Sequence, residues 1–330
     1  VSETSRLSLA VGNGELPLPE AGRIAVFGPA AGMDLSTLPQ ALCHIITGFR
    51  PDYDHFASLG FACATAPEGR YGASLVCAAR AKPLSFARIA EAAAVTDGPV
   101  IVDGLKTDGI ESLLKACRKR TEVPAPLSKS HGKLFWFPAS DTFSDWVQDE
   151  MHEIEGGFVT SPGVFSADAV DPASRLLADH LPEKLGARVA DLGAGWGYLS
   201  ARVLKRESVA HLDLVEADHA ALTCARRNVP DSRAAFHWED ALRWRPATQV
   251  DCVVMNPPFH TGRKGDPDLG RSFIRAGADI LAPSGQLWLV ANRHLPYEAE
   301  LAAAFGEVSE AGGDARFKIL HATRPSRKRR

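Results

Sequence analysis

A strand that is forced to stop constrains this chain more than any other feature. Residues 251–260 read Asp-Cys-Val-Val-Met-Asn-Pro-Pro-Phe-His. A run of apolar or nearly apolar residues meets an amide, then two prolines. Neither proline can donate to a strand ladder, so the strand ends at Asn256. The turn that follows is rigid and presents an amide side chain, a free carbonyl and an aromatic ring. In open α/β sheets, ligands bind at the carboxyl ends of strands. What these three groups handle depends on whether the same sheet also holds a cofactor.

The sequence around this stretch supplies one. Ala187-Arg-Val-Ala-Asp191 reads as a strand ending in an acid, followed by Leu-Gly193-Ala-Gly195-Trp-Gly197 and a helix over 198–205. Glycines let the backbone turn tightly and approach a ligand. His211-Leu-Asp-Leu-Val-Glu216 is the next strand and also ends in an acid, 25 residues after Asp191. An acid there can accept hydrogen bonds from ribose hydroxyls. A third strand ends near Asp240-Ala241, where Asp240 can accept from an adenine amino group. The strand over 250–255 is fourth, a helix spans 268–281, and Pro283-Ser-Gly285 closes it. A fifth strand over 285–291, a helix over 297–305 and strands near Val308 and over 315–321 complete the half.

A glycine loop alone does not separate a dehydrogenase from a methyltransferase. Dehydrogenase loops space their glycines as Gly-x-Gly-x-x-Gly, with a pyrophosphate packed on the helix. Here the pattern is Asp-x-Gly-x-Gly-x-Gly, with the acid ahead of the loop. Asp191 suits a cationic amino-acid end and would repel a diphosphate. The amide–proline turn on the fourth strand points the same way.

The first half alternates strands and helices too, which indicates an α/β layer with a parallel sheet. Strands are expected over 23–27, 74–79 and 98–103, and helices over 35–42, 86–95 and 110–117. The Gly28-Pro-Ala-Ala-Gly32 turn reads as structural, because Pro29 stands where a backbone N–H would be wanted. Asp108 is expected to cap the helix that follows it. His131-Gly-Lys-Leu-Phe-Trp136-Phe137 reads as a strand whose aromatics belong to the core. A chain of 330 residues exceeds one ordinary core, so two domains are expected, 1–148 and 149–330.

Charge is nearly balanced: net −3 overall, with 14 Lys+Arg against 17 Asp+Glu up to residue 150 and 23 against 23 beyond. Any nucleic-acid contact must therefore use a local patch. The tail Arg324-Pro-Ser-Arg327-Lys-Arg-Arg330 is the one dense basic cluster, either a solvated end or a phosphate-binding tail. Six scattered cysteines without a Cys-x-x-Cys pair, and histidines without metal-ligand spacing, indicate a reducing cytoplasm and no metal site. No apolar run approaches the ~20 residues of a membrane span.

Taken together, Asp191 to Gly197, Glu216, Asp240-Ala241 and Asn256-Pro-Pro-Phe259 resemble the motifs of class I S-adenosylmethionine-dependent methyltransferases. Adding Pro162-Gly-Val-Phe165-Ser, His260 after the turn, Val290-Ala-Asn292, Leu295-Pro-Tyr297 and Arg316-Phe-Lys318 narrows it. The whole chain then resembles the RsmC-type ribosomal RNA guanine-N2 methyltransferases. That resemblance implies an α/β fold of two Rossmann-like methyltransferase domains in tandem. The N-terminal one is degenerate, with residues 28–32 as a decayed loop. The C-terminal one is catalytic, with a seven-stranded sheet. Trp196 and the basic extension after Pro325 depart from the family pattern without removing a functional group.

The resemblance also implies roles. Asp191, Gly193 and Gly195 would line the methionine part of S-adenosylmethionine, Glu216 the ribose, and Asp240 with Ala241 the adenine, while Phe165 would cover the cofactor. Asn256 and the Pro257 carbonyl would accept from the exocyclic amine of the target base, and Phe259 would stack on it. That amine is a poor nucleophile, because its lone pair is delocalised into the ring. Two acceptors holding both N–H groups aim the lone pair at the methyl carbon, and positioning supplies much of the rate. No dedicated base is needed, and His260 reads as structural. The base must leave its helix or lie in a single strand. The expected partner is ribosomal RNA or the small ribosomal subunit, and the expected state is a monomer. Adenine N6 or a protein glutamine N5 would also suit the turn, and a non-catalytic RNA-binding assembly protein is the alternative from another class.

Overall fold

The structure is a computed structural model that describes residues 5–326 except 17, 20–21, 148–150, 259, 262–263 and 266; of 260–261 and 264–265 it describes the backbone. The chain divides into two compact units, residues 1–150 and 151–330.

The first unit runs α1 (Arg6–Gly12), β1 (Ile24–Phe27), β2 (Cys43–Ile46), α2 (Arg50–Ser58), β3 (Ala62–Ala64), β4 (Ala73–Cys77), α3 (Lys82–Val95), β5 (Pro99–Leu105), α4 (Ile110–Cys117), β6 (Leu127–Lys129) and β7 (Gly132–Pro138). Its sheet has the order β3-β2-β1-β4-β5-β7-β6. The first five strands are parallel; β7 runs antiparallel to β5 and β6 to β7. All four residues of β1 and of β2 are buried, as expected of parallel strands covered on both faces. Along β1 the side chains alternate between two cores: Ala25 and Phe27 join Ile89 and Ile110 on one face, and Ile24 and Val26 join Leu7 and Phe56 on the other.

Two local expectations fail here. The helix expected over 35–42 is only a single tight turn, Gln40–Leu42, after which the chain enters β2. Pro39 disfavours helical geometry in the residue before it and starts the turn instead. Asp108 does not cap α4. Its carboxylate accepts from the Leu105 N–H at 3.2 Å, and Gly109, in a left-handed conformation, leads into the helix.

The second unit opens with the short hairpin β8 (His152–Glu153) and β9 (Val159–Thr160). There follow α5 (Pro172–His180), β10 (Arg188–Leu192), α6 (Tyr198–Val203), β11 (His211–Glu216), α7 (His219–Asn228), β12 (Ala234–Trp238) and β13 (Val250–Met255). The chain ends with β14 (His260–Thr261), β15 (Lys264–Gly265), α8 (Pro267–Ile280), β16 (Leu281–Asn292), α9 (Glu298–Ala304), β17 (Phe305–Gly313) and β18 (Phe317–Pro325). The sheet order is β12-β11-β10-β13-β16-β18-β17, strand for strand the order of the first unit. Again the first five are parallel and the last two antiparallel.

Val189 of β10 faces the core shared with α5, α6 and α7, and Ala190 faces the core shared with α8 and α9. Residues 283–285 do not form a separate turn before β16. They bulge out of the strand, because Val250 pairs with Leu281 and the next pair is Cys252 with Gln286. At the head of β13 the Asp251 carboxylate accepts from the Ala187 and Arg188 N–H groups, both at 2.9 Å, and so fixes the register of β10 against β13. Among the described residues no helix is long and apolar enough to cross a membrane.

Candidate active site

The glycine loop leaves β10 at its carboxyl end and is held from the neighbouring strand. The Gly193 and Ala194 N–H groups both donate to the Val215 carbonyl, at 2.9 and 3.1 Å. Gly193, Gly195 and Gly197 all have positive φ. At Gly197 a Cβ would also lie 2.9 Å from Val229, so helix α7 closes that position to any side chain. The loop is therefore fixed by strain that only glycine escapes.

Two acids stand beneath it. Asp191 is fully buried; its Oδ2 accepts from Ser200 Oγ at 2.7 Å, and its Oδ1 has no partner among the described residues. Burial pushes its carboxyl up to about 7, the Ser200 hydrogen bond opposes that, and the nearby Glu216 charge adds to it. Glu216 ends β11. Its Oε2 accepts from the Gly195 N–H at 2.7 Å and its Oε1 from the Asp218 N–H at 2.8 Å. Burial pushes it up to about 7 as well, against the pull of those N–H groups. Glu216 thus braces the glycine loop, and each carboxylate oxygen retains a lone pair for a further donor. An orphaned buried carboxylate oxygen beside a second desolvated acid fits a cationic, donor-rich ligand end, which would relieve both.

A further wall comes from the turn at Phe165 and Ser166. Trp196 Nε1 donates to the Phe165 carbonyl at 3.0 Å, which ties this turn to the glycine loop. The Phe165 ring itself remains 60% exposed, while Trp196 is buried against Phe158. The departure from the family pattern at 196 therefore has a structural use: the indole fixes the turn that carries Phe165.

At the end of β13 the Asn256 amide is locked. Its Nδ2 donates to Asp171 Oδ2 and to Ser174 Oγ, both at 2.9 Å. Asp171 is the N-cap of α5, and the same Oδ2 accepts the Ser174 N–H at 2.8 Å. Turning the amide over would set its oxygen against a carboxylate, so only one orientation satisfies the site. Both donors are spent on α5, and Oδ1 is left as an acceptor. No described group donates to the Pro257 carbonyl either. The two groups together make an acceptor pair suited to a planar amine.

One narrow cavity, about 40 Å³ in volume, gathers Phe165, Gly193, Gly195 and Asn256. Asp191 and Glu216 lie beneath the loop that forms its wall. Asp240 and Ala241 follow β12 and do not line it: Asp240 Oδ1 accepts from the Leu242 N–H at 2.9 Å, and Ala241 is buried. Phe259, the His260 side chain and residues 327–330 lie outside the described residues. The cavity also holds Asp171 and Ser174, which sequence reasoning missed. Asp171-Pro172 does carry an N-cap signal, but nothing local tells that its second lone pair serves an amide 85 residues further on.

Comparison with known proteins agrees with this geometry. The family model described as methyltransferase small domain matches residues 155–321. The ribosomal RNA small subunit methyltransferase C of Idiomarina loihiensis is 29% identical over 92% of this chain and 94% of its own length. That of Hahella chejuensis is 32% identical over 67% and 68%. Among solved structures, the T. thermophilus 16S rRNA N2 G1207 methyltransferase in complex with AdoMet and guanosine is similar, with a TM-score of 0.77 and 25% identity. It covers 93% of this chain and 90% of its own.

Proposed function

The chain belongs to the methyltransferase small domain family and, within it, to the ribosomal RNA small subunit methyltransferases C; from that premise we propose how its residues work. It is an S-adenosylmethionine-dependent enzyme that methylates the exocyclic N2 of a guanine in 16S ribosomal RNA. When bound, S-adenosylmethionine supplies an electrophilic methyl group on a sulfonium centre. Asp191, with the backbone of Gly193 and Gly195, holds the methionine part, and Phe165 covers it. Glu216 takes the ribose hydroxyls, and Asp240 with Ala241 the adenine.

Asn256 Oδ1 and the Pro257 carbonyl accept the two N–H groups of the guanine amine, which turns the nitrogen lone pair away from them. Phe259 offers its face to the flipped base. Asp171 and Ser174 act through Asn256 as positioning residues, since they decide which end of the amide the guanine meets. The proton released after transfer leaves to water. The second unit, residues 149–330 in this reading, performs the chemistry, and the degenerate first unit, residues 1–148, recognises the RNA. The enzyme works as a monomer in the cytoplasm, on ribosomal RNA or the small subunit.

The observation that carries this reading is the locked Asn256 amide, whose acceptor is left over beside the glycine loop. The test is transfer of labelled methyl to ribosomal RNA, with nuclease mapping of the product. One N2-methylguanine in 16S RNA is expected. Asn256→Ala should lower the turnover by about 10²–10³-fold, the scale for losing one preorganised polar group at a reacting centre. Methylation of adenine, of 23S RNA or of a protein glutamine instead would overturn the substrate; unchanged turnover in Asn256→Ala would overturn the mechanism.

A further inference from the structure

The first unit lacks the acids and the locked amide of the second, yet it gathers charge of its own. Residues 1–150 carry 14 Lys and Arg against 17 Asp and Glu. Four of those cations, Lys82, Lys115, Lys119 and Arg120, line a single open groove of about 610 Å³ together with Phe86 and Trp146. Among the described residues no Asp or Glu lines it. The groove lies between the start of α3 and the end of α4.

The four cations are not equivalent. Arg120 is bound bidentately by Asp145, at 2.5 and 2.8 Å, and its guanidinium lies 4.8 Å from the centre of the Trp146 ring. Trp146 is buried against Phe143 and Phe86. These groups form a rigid, neutralised wall. Lys82, Lys115 and Lys119 are exposed, and among the described residues none is in a salt bridge. The Lys82 ammonium hangs 5.2 Å above the half-buried Phe86 ring.

Lys82 is also the first residue of α3, where a cation opposes the helix dipole. Helix stability does not explain its position. In a unit with an acidic balance, three ammonium groups around one groove, with no carboxylate partner among the described residues, are a local feature. A polyanion is the ligand that such a groove fits.

We propose that this groove docks the ribosomal RNA backbone, with Lys82, Lys115 and Lys119 each contacting a phosphate and Phe86 lying against a sugar or base. The proposal rests on the reading of the chain as a ribosomal RNA methyltransferase and gives that RNA a place on the first unit. Phosphate contacts of this kind position a substrate without reading its sequence. The groove sets affinity and register, and the choice of base stays with the second unit.

The test uses the full chain carrying K82A, K115A and K119A together, with K205A, an exposed lysine of the second unit, as the control. Binding of a labelled 16S RNA fragment is followed by fluorescence anisotropy over a range of salt concentrations, and methylation kinetics and S-adenosylmethionine binding are measured in parallel. Each lost phosphate contact lowers the slope of log affinity against log salt by about 0.7 to 0.9, so the triple variant should lose about 2 to 3. Its KM for RNA should rise at least about tenfold at moderate salt, by the same loss of contacts. Turnover at saturating RNA and cofactor affinity should stay as in the wild type, and K205A should change nothing.

An unchanged salt slope and KM in the triple variant would overturn the groove while leaving the methyltransferase reading intact. A wild-type chain that transfers no methyl to RNA would overturn that reading instead, and the anisotropy slope would still decide the groove. Polyglutamate displaced by the triple substitution while RNA binding persists would make the occupant an acidic protein and overturn the RNA assignment.

Discussion

The two units share one sheet order and differ at every strand end that matters. In both, the glycine that follows the first strand donates to the end of the second: Gly28 to Ile46 at 2.8 Å, Gly193 to Val215 at 2.9 Å. Beyond that bond they part. After Gly28 comes Pro29 and no α-helix, whereas the second unit's loop runs straight into α6. The second strand ends in Ile46 in one unit and in Glu216 in the other. The fourth strand ends in Cys77-Ala78-Ala79 in one and in Met255-Asn256-Pro-Pro in the other.

The face of Gly28 is covered by the Arg88 guanidinium from α3, where any Cβ would lie 2.2 Å away, and Arg88 also donates to the Cys77 carbonyl at 3.0 Å. In the second unit the corresponding neighbour of Gly193 is the Phe273 ring of α8. A cation therefore sits at the strand ends of the first unit, and a buried acid, Asp191, with a half-buried one, Glu216, at those of the second. The same topology repels a sulfonium in one place and suits it in the other.

Substituting across this contrast gives the largest expected effect on cofactor binding. Glu216→Ala should weaken S-adenosylmethionine binding by about 10- to 100-fold, the cost of a lost hydrogen bond to a charged group plus a loosened loop. Arg88→Ala should leave that affinity within about twofold while lowering stability by about 1–3 kcal/mol, because it uncovers a turn and leaves a carbonyl unpaired. Calorimetry should count one cofactor per chain. A second site, or equal losses of affinity in both variants, would break the comparison.

A comparable effect, on turnover instead of binding, is expected where the two fourth strands differ. Among the described residues of the first unit, no bond resembles that from Asn256 to Asp171. Asp171→Ala should reduce kcat by about 10- to 100-fold with little change in cofactor affinity, the worth of a charge-assisted hydrogen bond. It also removes the α5 cap, at about 1 kcal/mol of stability. Two further variants separate these roles. Ser174→Ala keeps the cap and removes one acceptor, so its kcat should fall less. Asp171→Asn retains a cap and an acceptor, and it should recover much of the lost turnover. If the three variants lose activity in proportion to their loss of melting temperature, Asp171 is structural and the orientation argument falls.

The outline of this contrast was legible in the sequence because it rests on local chemistry. Asp191 and Glu216 end apolar runs, the glycines are spaced for a turn, and two prolines must stop a strand. Pro29 likewise announces a spoiled loop. What could not be read is tertiary. The helix expected over 35–42 yields to Pro39 and to the pairing of β1 with β2. Arg88 over Gly28, Asp171 under Asn256 and Trp196 on Phe165 each join residues far apart in the chain. No periodicity or spacing carries such pairings. The basic groove is similar: Lys82 opens α3, Lys115 lies on α4 and Lys119 and Arg120 just beyond it, and only the fold brings them together.

The mildest expected effect concerns proton balance beneath the glycine loop. Burial raises Asp191 and Glu216 from their ordinary range to about 7; hydrogen bonds to them oppose the rise and a neighbouring negative charge adds to it. A carboxyl raised in the folded state holds its proton where the unfolded chain has already lost it. Its contribution to stability is therefore full below the ordinary carboxyl range and is lost as pH rises through about 7. Binding of the cofactor reverses the preference, because the charged forms are the ones that hold its cationic end at Asp191 and accept its ribose hydroxyls at Glu216. Cofactor affinity should accordingly rise several-fold between about pH 6 and 8, with protons released on binding and a calorimetric enthalpy that depends on the buffer. The gain in melting temperature given by S-adenosylmethionine should grow over the same interval. Glu216→Gln should flatten both trends, and Asp52, an acid of the first unit also raised by burial, should contribute nothing when replaced by Asn. A pH dependence that survives Glu216→Gln but vanishes in Asp52→Asn would move the titrating acid to the wrong unit and undo the assignment of the two acids to the cofactor.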